Sequence, residues 1–150
     1  MMQVSQKSRY ALRALFELSR HHGEGPIRIG DIAREQAIPQ RFLAGILNQL
    51  KQAGLLRSVR GAQGGYELAR DPSEVTVGEM MRVTEGPTAP TGCVGEQAED
   101  RCPLYPDCAF LPMWTRAAEA LSAVYDGTSL QDLIDEDRSR REKHVLTYAI

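Results

Sequence analysis

Three cysteines, Cys93, Cys102 and Cys108, are the only thiols of the chain, and they lie within sixteen residues. Thiolates are soft ligands that suit zinc and iron–sulfur clusters. Three is an odd number for disulfide bonds and one ligand short of a tetrahedral structural zinc site. The stretch, which reads CVGEQAEDRCPLYPDC, therefore predicts a metal or redox site that requires a further ligand.

The surroundings of the thiols favour a ligand-binding loop. Pro87 and Pro90 precede the thiols, and Cys108 lies before a predicted long helix whose N-terminal dipole favours a thiolate. Four acidic residues are close in sequence: Glu96, Glu99, Asp100 and Asp107. Acidic loops are usually solvated, so none of these is assigned as the fourth ligand. A thiol enzyme with Cys102 or Cys108 as nucleophile is an alternative, which the lack of a paired histidine and of a CxxC motif disfavours.

Composition indicates an ordinary soluble chain of 150 residues, with 42% hydrophobic and 25% charged residues. No apolar run reaches the roughly 18 residues of a membrane span, and the N-terminal MMQVSQKSRYAL is too polar for a secretory signal. We therefore expect a cytoplasmic protein without a membrane partner, in a compartment where thiols stay reduced.

Charge divides the chain into two halves. Residues 1–70 contain 11 Lys and Arg and 5 Asp and Glu, a net charge of +6, whereas residues 71–150 contain 7 and 15, a net charge of −8. A basic first half predicts contact with a polyanion such as DNA. The alternative is chance clustering of surface charge.

Helical spacing predicts three helices in the first half. The first covers SRYALRALFELSRHH, the second lies in IRIGDIAREQ, and the third begins at Pro39 and ends at Gly54. The third helix is expected to bury five apolar residues: Phe42, Leu43, Ile46, Leu47 and Leu50.

Strand periodicity follows, in LLRSVR and YELAR around the glycine-rich GAQGG. We call this hairpin, residues 55–70, the wing. Three helices and a hairpin predict a mainly α fold with an N-terminal winged helix-turn-helix, whose third helix enters a major groove of DNA. The glycines do not form a phosphate-binding P-loop, because the Gly-Lys-Ser/Thr ending and a following helix are missing.

The predicted DNA-binding residues lie at the start of helices one and three, before helix two and in the wing. They are Ser5, Lys7, Arg9, Arg28, Gln40, Arg41, Arg57, Arg60, Gly61, Gln63, Gly64, Gly65 and Tyr66. Cationic side chains and helix N-termini are the groups that hold phosphates. The alternatives are a solvated helical surface and a module that binds protein.

The second half predicts two further helices and a tail. Thr76 and Glu79 form a capping box for a short helix through Val83, and Thr128 with Gln131 caps the last helix. A long helix between them carries an apolar stripe, Leu111, Trp114, Ala118, Leu121 and Tyr125. The tail, HVLTYAI, is expected to be a short strand or a docked segment. We divide the chain into a DNA-binding region (1–70), a connecting helix and loop (71–90), a cysteine-containing sensor loop (91–109) and a dimerisation segment (110–150).

Three strings resemble a family of bacterial winged-helix regulators that includes IscR, NsrR, RirA and CymR. They are VSQKSRYALRAL, DIAREQAIPQRFLAGILNQLKQAGLL and SVRGAQGGYELARDPSEVTVGEMMRVTEG, and the resemblance continues through CPLYPDC and TSLQDLID. It implies a homodimer, held by the long helix, on a palindromic double-stranded DNA operator. It also implies that Arg60 and residues 61–66 enter the minor groove, and that Pro39, Gln40 and Arg41 begin the recognition helix. Many members have Glu-Gln where this chain has Ala44 and Gly45.

The same resemblance implies an iron–sulfur cluster on Cys93, Cys102 and Cys108, with 4Fe–4S preferred over 2Fe–2S. IscR-like members have a histidine where this chain has Leu111, and NsrR-like members use an acid where it has Arg9. The loop is most similar to that of RirA. We therefore expect a repressor, not an enzyme, whose operator affinity follows the cluster and hence iron, redox or nitric oxide status. The alternative is a cluster-free regulator that senses thiol oxidation or another metal.

Overall fold

Residues 3–95 and 102–148 are described by the computed structural model, and in them six α-helices accompany one two-stranded hairpin. In chain order the elements are α1 (Gln6–Arg20), α2 (Ile29–Glu35), α3 (Gln40–Gln52), β1 (Leu56–Val59), β2 (Gly65–Leu68), α4 (Val77–Glu85), α5 (Leu111–Asp126) and α6 (Leu130–Tyr148), with a short 3-10 helix at Pro72–Glu74. The predicted mainly α architecture of three helices, a hairpin and long C-terminal helices is confirmed.

Local sequence signals set the ends of the early helices. Ser5 is the N-cap of α1, and its hydroxyl oxygen accepts the N–H of Ser8 at 3.1 Å. Pro39 is the N-cap of α3 rather than its first helical residue. Gly54 follows α3 with φ +77°, a left-handed conformation that glycine adopts without steric cost.

The wing is an antiparallel hairpin in which Leu56 faces Leu68 and Val59 faces Gly65. It is joined to the loop before α2 by a pair of backbone hydrogen bonds: the N–H of Ile27 donates to the carbonyl of Tyr66 at 2.9 Å, and the N–H of Tyr66 donates back at 2.8 Å. The wing is thus fixed to the helical body along one edge.

One hydrophobic core lies beneath these elements. It draws residues from α1, α2, α3, the wing, α4 and the start of α6, including Leu15, Ile32, Leu47, Leu68, Met80 and Leu130. Residues 71–90 therefore contribute to the same core as residues 1–70. The predicted burial of Leu43, Ile46, Leu47 and Leu50 is confirmed.

Phe42 departs from the prediction, because its side chain is 50% exposed. It lies at the edge of the apolar stripe of α3, where Tyr10 of α1 covers it with a ring centroid 6.4 Å away. The helical period alone therefore predicted too much burial at this position.

The capping box of α4 is confirmed: Thr76 accepts the N–H of Glu79, and Glu79 accepts the N–H of Thr76. The predicted cap of the last helix is wrong by one residue. Ser129 and Asp132 exchange these bonds, at 2.8 and 3.1 Å, whereas the Thr128 hydroxyl donates to a carbonyl at the end of α5.

The C-terminal part differs from the prediction in another respect. The tail predicted as a strand or docked segment continues α6 as helix to Tyr148. On α5, Ala118 is buried and the other four residues of the predicted stripe are half-buried. In the described parts of the chain, no helix combines the length and apolar character of a membrane span.

Candidate nucleic-acid interface

The first turn of α1 exposes cationic side chains on one side and contacts α4 on the other. Lys7 and Arg9 are exposed, whereas Ser8 is fully buried on the opposite side of the helix. The Ser8 hydroxyl lies 2.6 Å from Thr84 Oγ1 and 2.5 Å from Glu85 Oε1, both at the end of α4. The cations therefore project from a helix start that α4 holds in place.

Glu85 receives several hydrogen bonds at this point. Hydrogen bonds from the Ser5 and Ser8 side chains and the Ser5 backbone N–H, with the charge of Lys7, hold the pKa of Glu85 below its ordinary value. The group is therefore a carboxylate at neutral pH. Sequence reasoning missed Ser8 and Glu85; the available signal was a serine on the apolar face of the first helix.

The start of α3 exposes Gln40 and Arg41, as predicted for the start of a recognition helix. The guanidinium of Arg41 lies 4.7 Å from the centroid of the Phe42 ring, within the range of a cation–π contact. Ala44 and Gly45 are also exposed, so this face offers an arginine and an aromatic ring in place of carboxylate and amide side chains.

At the tip of the wing, Arg60, Gly61 and Gln63 are exposed, while Gly64, Gly65 and Tyr66 are half-buried. A Cβ atom on Gly64 would lie 2.4 Å from the carbonyl oxygen of Val59. A Cβ atom on Gly65 would lie 2.3 Å from the carbonyl oxygen of Ile27. Both glycines are thus required by close backbone approach within the protein.

Two of the predicted DNA-binding arginines already have partners in the protein. Arg57 Nε donates to Glu67 Oε1 across the hairpin at 2.7 Å. Arg28 Nη2 donates to the carbonyl oxygen of Ala62 at 2.7 Å. The second bond joins the start of α2 to the tip of the wing, so Arg28 positions the wing relative to the helices.

The cysteines differ in environment. Cys93 and Cys108 are half-buried and Cys102 is exposed, and all three are free thiols. Cys93 Sγ lies 3.2 Å from Thr91 Oγ1, and Cys108 lies three residues before the start of α5, where its carbonyl accepts the N–H of Leu111. Within residues 3–95 and 102–148, no three His, Cys, Asp or Glu side chains are gathered as a metal site. The nearby acids Glu96, Glu99 and Asp100 lie outside the described residues.

The end of α5 is anchored to the DNA-binding body. Asp126 accepts two hydrogen bonds from the Arg82 guanidinium, at 2.7 and 3.2 Å. A Cβ atom on Gly78 would collide with the Asp126 carboxylate, so α4 approaches this side chain closely. The helix that follows the cysteines is therefore joined at its far end to α4, which itself contacts the start of α1.

Comparison with known proteins identifies the family. Residues 4–136 match the Rrf2 family model, described as an iron-dependent transcriptional regulator. The HTH-type transcriptional regulator CymR of Bacillus subtilis (strain 168) is 36% identical over 144 residues, which cover 96% of this chain and 98% of CymR.

Solved structures agree with this match. The structure of CymR (YrzC), the global cysteine regulator of B. subtilis, has a TM-score of 0.75 at 38% identity and covers 91% of this chain and 98% of its own. The structure of T. potens IscR has a TM-score of 0.72 at 33% identity and covers 91% and 88%. The predicted winged-helix fold and the predicted regulator class, as opposed to an enzyme, are thereby confirmed. With its family model matched over most of its length, the chain belongs to the Rrf2 family of DNA-binding transcriptional regulators.

Proposed function

We propose that this regulator is a homodimeric repressor that places α3 of each protomer in a major groove of a palindromic operator. Arg60 and the exposed tip of the wing would then reach the adjoining minor groove or backbone. The observation that carries the proposal is the fixed wing. Its edge is joined to Ile27 and its tip to Arg28, so Arg60, Gly61 and Gln63 are held exposed relative to α3.

Dimerisation is supported by an exposed apolar face of α5. At alternating steps of three and four residues this helix presents Phe110, Met113, Ala117, Ala120 and Val124, which we call the seam. Phe110, Met113 and Val124 are 64%, 46% and 63% exposed. A three–four repeat of apolar residues is the spacing by which two helices pack along each other. The seam is distinct from the predicted stripe, in which Ala118 is buried and the other four residues are half-buried.

We further propose that Cys93, Cys102 and Cys108 hold an iron–sulfur cluster. Three free thiols within sixteen residues of sequence suit the soft-ligand preference of iron–sulfur centres, and the family description names iron dependence. A bound cluster would supply a redox- and iron-responsive centre. The fold connects the cysteines to the DNA-binding region, because Cys108 leads into α5 and the Arg82–Asp126 pair joins α5 to α4.

The cluster proposal is tested on protein purified without air. We expect a brown protein containing iron and acid-labile sulfide, and we expect Cys102→Ser to lose both. Arg60→Ala serves as the matched control, since it should keep the colour and lose about 1–3 kcal/mol of operator affinity. A colourless protein that also fails chemical reconstitution contradicts the cluster, and unchanged affinity of Arg60→Ala contradicts the placement of the wing.

A cluster-free thiol sensor is the second candidate, favoured by the exposure of Cys102. Exposed thiols are accessible to oxidation. This alternative predicts a colourless protein whose operator affinity changes on mild oxidation and recovers on reduction, with a disulfide or sulfenic acid detected by mass spectrometry.

A further inference from the structure

A recess of about 450 Å³ lies between the N-terminal part of α1 and α3, along which it extends from Phe42 to Gln49. Its apolar lining comes from Tyr10, Phe42, Gly45 and Ile46, and its polar lining includes Lys7. Its Phe42 end lies in the first turn of α3, and the N-terminal residues of a recognition helix contact base edges in helix-turn-helix proteins. The recess therefore belongs to the surface that would face DNA.

Phe42 is held in one position at this surface. Its ring stacks on Tyr10 at an interplanar angle of 27°, and the Arg41 guanidinium lies 4.7 Å from its centroid. Half of the side chain remains in solvent. The ring is thus an apolar contact surface fixed in advance, which loses little rotational freedom when it binds.

Gly45 has no structural reason to be a glycine. It lies inside α3, where glycine is disfavoured relative to alanine, and a Cβ atom there would meet no heavy atom within 4 Å. The missing side chain therefore leaves room on the outside of the helix for a group that approaches closely.

The charges around the recess favour a nucleic acid as this group. Lys7 lines the recess and Arg41 stacks on its Phe42 ring, and both are exposed, on a half of the chain with net charge +6. Inside the major groove, the apolar group that projects toward a helix is the C5-methyl of thymine, and Phe and Ala are side chains that contact it.

We propose that Phe42 and Gly45, which lie three residues apart on one face of α3, form a reading surface for the C5-methyl groups of thymine in the operator. Arg41, stacked on the same ring, is placed to donate to the O6 and N7 atoms of a guanine in a neighbouring base pair. This proposal rests on the proposed placement of α3 in the major groove, and it names the base chemistry that α3 recognises.

The test uses the full-length protein and an operator duplex selected by it from a randomised library. Each thymine is replaced, one at a time, by uracil (as deoxyuridine). This replacement removes the methyl group and keeps the Watson–Crick and major-groove hydrogen-bonding atoms. At one or two positions per half-site we expect affinity to fall about four-fold, the effect of losing one buried methyl group.

Phe42→Ala tests whether the loss of affinity on replacing thymine by uracil arises at the reading surface. The variant should bind the thymine operator more weakly and bind the thymine and uracil duplexes about equally. Arg60→Ala is the matched control, because it should weaken binding to both duplexes and preserve their ratio. Gly45→Gln, at an exposed position with open space around it, provides a second variant that keeps the fold and should also abolish the ratio.

Two results overturn the proposal: uracil tolerated at every position by the unmodified protein, or a uracil penalty that both Phe42→Ala and Gly45→Gln retain. Failure of the underlying DNA-binding placement gives a different result. In that case the library yields no enriched duplex, or the enriched duplex binds Arg41→Ala and Arg60→Ala as tightly as the unmodified protein.

Discussion

The backbone N–H of Ser5 donates to the carboxylate of Glu85 at 2.8 Å, although eighty residues separate them along the chain. Glu85 ends α4, where negative charge is unfavourable, and Ser5 caps α1, where it is favourable. The carboxylate is therefore stabilised by α1 and not by its own helix. Because Gly86 then begins the segment toward the cysteines, Glu85 connects the start of α1 with the root of the proposed sensor loop.

Glu85→Gln should lower stability in a pH-dependent manner. The folded-state pKa of Glu85 lies below its ordinary value of 4.5, so the folded state favours the charged form. The stabilisation that Glu85 gives to the folded state is fully present above pH 4.5 and is lost as the pH falls through the lowered folded-state pKa. We expect a loss of up to about 1 kcal/mol at pH 7, small because the side chain is exposed, and a smaller loss at acidic pH.

Urea unfolding across pH 3–7 measures this change relative to a matched variant in which a different exposed glutamate becomes glutamine. Glu74→Gln is that control, because Glu74 is an exposed glutamate of the 3-10 helix outside the Ser5 and Ser8 contacts. The pKa values of Asp71 and Asp132 are also lowered by hydrogen bonds from serines. Both residues are unchanged in the two variants, so they add the same pH dependence to the free energy of unfolding of each. Parallel stability curves for the two variants would contradict a special role for Glu85.

Features set by a few adjacent residues were predictable from sequence. The capping box of Thr76 and Glu79 and the glycine-tipped wing depend on local hydrogen bonds and close backbone approach, and both are found as predicted. The last helix shows the limit of such signals. Thr128 and Ser129 both carry a hydroxyl suited to an N-cap, and sequence alone does not distinguish a cap one residue later.

Features that depend on contacts between secondary-structure elements distant in the chain were not predictable from local sequence. The exposure of Phe42 depends on how far Tyr10 covers it, and the position of Arg28 depends on the wing tip reaching the start of α2. Glu85 is ordinary in sequence and becomes a partner of Ser5 only because α4 packs against α1. Long-range packing decided each of these cases.

Arg28→Ala should weaken operator binding by loosening the wing. The lost bond to the Ala62 carbonyl removes a link between the tip and the helices, and we expect about 1 kcal/mol less binding free energy. Hydrogen exchange should rise in the wing and not in α3. Arg34→Ala, at an exposed arginine of α2 paired only locally with Asp31 and Glu35, is the control. Unchanged exchange in the wing would contradict the role of Arg28 in positioning the hairpin.

Gly65→Ala should destabilise the fold, because the new methyl group would lie 2.3 Å from the Ile27 carbonyl oxygen. Relief requires the hydrogen bonds between Ile27 and Tyr66 to open, and we expect a cost of about 1–3 kcal/mol. At Gly45, inside α3, a new methyl group would meet no other atom within 4 Å. Gly45→Ala should therefore raise the stability by up to about 1 kcal/mol. Thermal or urea unfolding compares them; equal effects would contradict the packing described for the wing.

Val124→Glu should convert the dimer to a monomer. Val124 is 63% exposed at the end of the seam, and two buried like charges facing each other across a two-fold axis would disfavour association. Ala123→Glu is the matched control, since Ala123 is the adjacent exposed residue of α5 and points about 100° away from the seam. Light scattering during size-exclusion chromatography should give a monomer mass for the first variant and a dimer mass for the second. If both remain dimeric, the dimer is held elsewhere; if the Val124→Glu monomer also loses most of its operator affinity, the two recognition helices must act together on one duplex.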